Sequence, residues 1–278
     1  MSKYVVSSMR EPDSTGKVLD ITPESAGWKY VGFQVYYLKK GQIVRSETGN
    51  EEVCIVLLSG KANVATKHER WETIGRRMSI FEKTPPYSVY IPNDDRYEVE
   101  AVTDLQIAVC LAPGKGTVLP ARLIPPEEVE ALQRGAGNIA RTVHNILPES
   151  KPSDSLLVVE VFTPEGNWSS YPPHKHDEDR SPEMAYLEET YYHRMNAEGA
   201  FAIQRIYTDD RSLDETMIVR DGDLVTVPKG YHPVAAPPGY ELYYLNVMAG
   251  PHRVWKFHND ADHEWIMKHK LEGNSHEN

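Results

Sequence analysis

The sequence predicts an all-β protein built from two similar barrel or sandwich units. Strand-like runs dominate it, one stretch of its first half recurs in its second, and a single helical pattern interrupts the strands. The runs "VCIVLLSGKANV", "SVYIP", "LQIAVCLA", "SLLVVEVF", "AIQRIY", "DLVTVP" and "ELYYLNVMA" are short, rich in β-branched and aromatic residues, and bounded by Gly, Pro or Asp. Laying "YIPNDDRYEVEAVTDLQIAVCLAP" over "TVPKGYHPVAAPPGYELYYLNVMAGP" aligns Pro92 with Pro228 and brings the following apolar strands into step, the mark of an internal duplication. In that register Arg96 stands where His232 does, so the first unit keeps the fold and lacks something the second uses.

The expected organisation is an N-terminal unit over 1–112, a linker over 113–154, a C-terminal unit over 155–269 and a tail over 270–278. In the linker, "IPPEEVEALQRGAG" predicts a short helix: Pro125 and Pro126 open it, Glu127 and Glu128 suit the first-turn dipole, and Gly135 closes it.

A chain of 278 residues is long enough for two units that each bury a core. A net charge of −11 argues against a nucleic-acid surface, which needs clustered Lys and Arg. No run of eighteen apolar residues is present and "MSKYVVSSMR" lacks a signal peptide's apolar segment, so the expectation is a cytoplasmic protein with no membrane partner. Cys54 and Cys110 sit inside apolar strand runs and read as buried free thiols.

The chemistry concentrates after residue 170. In "YPPHKHD", His174 and His176 are spaced so that one strand face presents both, roughly 6 to 7 Å apart, which is a metal-ligand spacing. Pro172 and Pro173 lack amide hydrogens and favour an extended entry, which fixes the direction from which the two imidazoles arrive. Further on come "LEETYYHR" with Glu189 and "GDLVTVPKGYHP", in which Gly222, Pro228, Gly230 and His232 form a G-x5-P-x-G-x-H pattern. Three histidines and a carboxylate suit a borderline divalent ion with positions left open for substrate. Glu183 and Glu188 compete with Glu189 for the carboxylate place.

These stretches resemble the two metal-binding motifs of the cupin superfamily. More narrowly, "YPPHKHD", "LEETYYHR", "QRIYTDDRSLDE", "VPKGYHPVAAPPGYELYYLNVMAGP" and "DHEWI" resemble the 5-deoxy-glucuronate isomerase family of inositol catabolism, relatives of the 5-keto-4-deoxyuronate isomerases. The resemblance covers most of the chain. It implies a bicupin, with two cupin-type jelly-roll units and a short linking helix. It implies a divalent metal, zinc first and manganese or iron as alternatives, on His174, His176, Glu189 and His232. It departs from the general cupin pattern in the twelve residues between His176 and Glu189.

The implied reaction interconverts 5-deoxy-glucuronate and 2-deoxy-5-keto-gluconate, an aldose-ketose isomerisation in which a Lewis acid and a proton carrier share the work. Strand alternation puts Glu189, Tyr191 and His193 on one face, which makes Tyr191 a candidate beside the metal; Tyr243, or its neighbour Tyr244, is the second. The substrate carboxylate calls for an arginine fork, and Arg205, Arg141 and Arg253 are the candidates in that order. The expected partners are a small anionic sugar acid and further copies of the chain. A related 5-keto-4-deoxyuronate-type isomerase is the alternative within the class, and a metal-dependent cupin dioxygenase and a sugar-acid-binding bicupin are the alternatives from other classes.

Overall fold

The computed structural model describes residues 2–180 and 182–267. Its core is two large antiparallel sheets packed back to back. One holds, in spatial order, Val5–Ser7, Asp223–Val227, Glu188–Met195, Leu242–Ala249, Leu157–Thr163, Arg141–Leu147 and Glu130–Arg134. The other holds Arg122–Ile124, Ser88–Ile91, Glu51–Ser59, Leu105–Pro113, Gly32–Leu38 and Lys17–Ile21. The central strands are buried on both faces, and that is why they read as unbroken apolar runs rather than alternating ones.

Each large sheet closes against a smaller four-stranded one. Phe201–Tyr207 and its neighbours cover the C-terminal barrel, where Val159, Val161, Tyr191 and Tyr244 meet Ala202, Ile206, Met217 and Val219. Arg96–Ala101 and its neighbours cover the N-terminal barrel, where Val53, Ile55, Ile107 and Val109 meet Val44, Val64 and Val99. Between the large sheets lies a third core, with Val35, Cys54, Val56 and Cys110 on one side and Val158, Phe162, Tyr192 and Val247 on the other. The architecture is a bicupin.

The duplication extends to the joints. Glu52, fully buried, accepts hydrogen bonds from the backbone amides of Asp154, Ser155 and Leu156 at 2.6–2.7 Å, just ahead of the Leu157–Thr163 strand. Glu188 does the same for Lys29, Tyr30 and Val31 at 2.7–3.1 Å, just ahead of Gly32–Leu38. Each unit thus holds the other's first central strand by a carboxylate in the same place. The units also exchange edge strands: Val5–Ser7 pairs with Asp223–Val225 of the C-terminal sheet, and Arg122–Ile124 pairs with Ser88–Tyr90 of the N-terminal one. Strand pairing therefore crosses the expected boundaries at both ends of the linker as well, since Arg141–Leu147 pairs with Leu157–Thr163.

One expectation is corrected. The linker forms no α-helix; Pro126–Glu128 is a single 3-10 turn and Glu130–Arg134 is a strand paired with Arg141–Leu147. Local propensity favoured a helix, but the open edge of the Arg141 strand offers five residue pairs of ladder, and tertiary pairing prevails. The tail from 270 lies outside the described residues. Among the described residues no helix is long and apolar enough to cross a membrane.

Candidate active site

Three turns and one central strand bring the site together. His174 and Lys175 form a two-residue strand against His258–Asn259, which anchors the H-x-H stretch to the C-terminal segment. Asp177, next to His176, accepts from the amide of Gly230 at 2.8 Å and so ties this stretch to the turn carrying His232. Gly230 has φ +86°, and a Cβ there would lie 2.4 Å from the Tyr207 carbonyl, so only glycine fits. Glu189 points into the barrel from the Glu188–Met195 strand, and its neighbour Glu188 points the other way into the clamp described above. Glu183 is exposed in a turn. Of the three carboxylates, Glu189 is the one beside the histidines.

The donor nitrogens of His174, His176 and His232 lie within 4.8 Å of one another. His176 donates Nδ1–H to the Leu187 carbonyl at 3.0 Å, and His232 donates Nδ1–H to the Gly230 carbonyl at 2.8 Å. Those bonds fix the tautomers and leave both Nε2 atoms as lone pairs. Both Nε2 atoms sit 2.9 Å from Glu189 Oε2, and that of His232 is buried without a properly aligned hydrogen bond. Three lone-pair atoms crowded on one point repel unless a cation lies among them. The residues therefore fit a divalent metal with a three-nitrogen, one-oxygen donor set.

The carboxylate and the imidazoles shift one another. Burial would raise the Glu189 carboxyl, but His232 and His176 hold it well below the usual range. Burial, reinforced by the neighbouring imidazoles, pushes His174 well below its ordinary value. In His176 burial acts downward and is outweighed by Glu189, so the net shift is upward.

A cavity of about 350 Å³ opens beside the cluster. Sheet registers order its floor: Val159, Asn246 and Tyr191 form one row, and Val143, Val161 and Tyr244 the next, with Arg141 two residues before Val143 on the same strand. Trp255, Phe257 and Asn259 of the C-terminal segment form the opposite wall. Tyr191 Oη is 2.9 Å from Ser170 Oγ, and its ring lies 4.8 Å from that of Tyr244. Burial, then Glu189 and Tyr244, push the Tyr191 phenol far up, so it holds its proton at neutral pH.

The other sequence candidates separate cleanly. Arg141 lines the cavity, donates to the Ile139 and Tyr171 carbonyls at 3.0 and 3.3 Å, and faces no carboxylate among the described residues. Arg205 lies on the outer face of its strand, because alternation turns Ala202, Gln204 and Ile206 inward; it forms a bidentate pair with Asp214 at 2.8 and 2.7 Å. Arg253 is spent on the carbonyls of Leu156, Glu149 and Pro148. Tyr243 faces the other unit and donates to Glu160 at 3.0 Å, while Tyr244 occupies the cavity wall. Sequence reasoning missed Arg134, Ser170, Asn246 and Asn259. Asn246 was within reach, since it shares alternation with Tyr244.

Fold and site together define a two-unit cupin whose C-terminal barrel holds a three-histidine, one-carboxylate cluster suited to a divalent metal. The chain belongs to the KduI/IolB family, whose profile matches residues 5–266. It is 69% identical over 271 residues to the 5-deoxy-glucuronate isomerase of Geobacillus thermodenitrificans (strain NG80-2), covering 98% of both chains. It is 51% identical to the enzyme of that name from Bacillus subtilis (strain 168), over 90% of this chain and 93% of the relative. An IolB-like protein from Salmonella typhimurium LT2 superposes with a TM-score of 0.93 at 51% identity, over 95% of this chain and 99% of that one. The oxalate decarboxylase of Lactobacillus farciminis, at 11% identity and a TM-score of 0.65 over 93% of this chain and 89% of that one, shares the fold.

Proposed function

We propose that this chain is a metal-dependent aldose-ketose isomerase that interconverts 5-deoxy-D-glucuronate and 2-deoxy-5-keto-D-gluconate, a step in the breakdown of myo-inositol. One observation carries the assignment to this site: a single cavity has a metal-type donor cluster at one end and an arginine without a carboxylate partner at the other. The near-full-length identity to relatives named for that reaction supplies the substrate.

His174, His176, Glu189 and His232 would hold a divalent ion, which would supply a Lewis acid for the charge that develops on substrate oxygen, and the three-nitrogen, one-oxygen set supports zinc. Arg141 takes the substrate carboxylate, and the reacting carbons then lie at the histidine end. Tyr191, protonated and tethered to Ser170, donates a hydrogen bond to the substrate oxygen that gains charge. The walls of Trp255 and Phe257 keep bulk water from the intermediate.

The test follows the protein with 5-deoxy-D-glucuronate by proton NMR in deuterated water, with and without a chelator, alongside metal analysis. Loss of the aldehyde form and growth of the keto acid, both stopped by chelation, is the expected result. Metal-loaded protein that leaves the compound untouched would overturn the assignment.

A further inference from the structure

We infer that the Val143–Val161 pair reads the missing hydroxyl of the substrate, so that this wall, rather than Arg141 or the metal cluster, makes the site select a 5-deoxy sugar acid over its 5-hydroxy counterpart. The inference rests on the isomerase reading above and deepens it.

Two ends of the substrate are fixed by chemistry. The aldehyde carbon and its neighbour react, so they belong at the histidine cluster, and the carboxylate belongs at Arg141. The deoxy carbon is bonded to the carboxylate carbon and therefore lies at the Arg141 end of the cavity. There Val143 and Val161 present hydrocarbon, with Tyr244 at the far end of the same row. Val143 is two residues from Arg141 on the same strand and on the same face, and Val161 is its direct cross-strand partner. Both are nearly fully buried. Moving toward the histidines, the next row of the floor turns polar with Asn246 and Tyr191. Thr163 Oγ1 is buried and unbonded beyond this pair, but Thr163 does not line the cavity.

A hydroxyl on the carbon next to the carboxylate would lose its water and meet two isopropyl groups in place of a partner. An apolar wall rejects an added hydroxyl by about a hundredfold. That is the selectivity expected of the wild type on kcat/KM between 5-deoxy-D-glucuronate and D-glucuronate. D-Glucuronate also closes a six-membered ring that the 5-deoxy compound cannot form. This equilibrium is the same for every enzyme variant and cancels when variants are compared with wild type.

The experiment measures that selectivity ratio for wild type, Val143→Thr, Val161→Thr and, as a control nearer the histidines, Val159→Thr. Where D-glucuronate turnover is too slow, its inhibition constant set against the KM of the 5-deoxy substrate gives the binding part of that selectivity, again compared between variants and wild type. The threonines are near-isosteric and add a hydroxyl facing the deoxy carbon. Val143→Thr or Val161→Thr is expected to lower the ratio about tenfold, and Val159→Thr less than about threefold. Should the threonine variants fail to fold, Val161→Ala, which opens room for a bridging water, is expected to lower the ratio in the same direction. A ratio unchanged within about twofold in the Val143 and Val161 variants, or a wild type that takes both compounds equally after allowance for the open-chain fraction, overturns the inference while leaving the isomerase standing. Failure of metal-loaded wild type to convert 5-deoxy-D-glucuronate overturns both, and is a separate observation.

Discussion

His232 shows how much a single residue's surroundings decide. Its Nδ1–H is committed to Gly230, its Nε2 faces Glu189 and the other imidazoles, and no hydrocarbon neighbour replaces a missing metal. Replacing it with alanine is expected to abolish stoichiometric metal and turnover while the far-UV circular dichroism of both barrels persists; retained metal would refute the four-residue set. Arg141 and Tyr191 should separate kinetically. Arg141→Met is expected to raise KM by one to two orders of magnitude, with a smaller effect on kcat, as a charge-assisted contact is lost. Tyr191→Phe is expected to lower kcat by about a hundredfold with metal content unchanged. At this scale the three clustered histidines were legible from spacing, i and i+2 on a strand and a proline-glycine turn before a histidine, whereas spacing left Glu183, Glu188 and Glu189 as rivals for the carboxylate. The tyrosine was not, because Tyr243 and Tyr244 are adjacent and alternation sends one into the cavity and the other to Glu160. Arg205 was favoured for lying on a barrel strand. Its face of that strand, set by Ala202, Gln204 and Ile206 pointing inward, points away from the site.

Among the elements, the two carboxylate clamps carry the most specific prediction. Glu52 and Glu188 each hold three backbone amides that have no other partner at the start of a central strand. Glu188→Gln and Glu52→Gln keep the shape but replace one acceptor oxygen by a donor aimed at those amides. Each is expected to destabilise by about 1–3 kcal/mol, read as a fall in urea midpoint, with Glu188→Gln also shifting Glu189 and weakening metal affinity. Equal loss of metal affinity in Glu52→Gln, which is remote from the site, would show that the effect is global. The strands themselves were readable from their apolar runs. The linker element was not, since Pro-Pro-Glu-Glu followed by Val, Ala and Leu suits a helix locally, and only the unpaired edge of Arg141–Leu147 makes it a strand.

The whole molecule is held at its centre by a buried ionic cluster. Arg77 of the N-terminal unit forms two 2.9 Å hydrogen bonds with Glu160 of the C-terminal one, and His144 and Tyr243 complete the carboxylate's shell at 2.7 and 3.0 Å. Burial alone would raise the Glu160 carboxyl, yet Arg77 and His144 hold it below its ordinary value. A depressed folded-state value means stabilisation that is present above the unfolded carboxylate range near pH 4.3 and is lost as pH falls through the folded value. Arg77→Met strands a buried charge and is expected to cost about 3–5 kcal/mol, seen as a lower melting temperature at pH 7. That deficit should shrink as the solution is acidified and Glu160 takes up a proton; a deficit constant down to pH 4 would count against the pair. The duplication was legible in the sequence from Pro92 and Pro228, but the joints were not, because strand exchange is a relation between distant segments with no local signature. That exchange has a consequence for synthesis. Val5–Ser7 is made more than two hundred residues before Asp223–Val225, its ladder partner among the described residues, so at ordinary elongation rates of about 5–20 residues per second that strand waits on the order of ten to forty seconds. The C-terminal sheet thus cannot complete its Val5–Ser7 edge until most of the chain has been made.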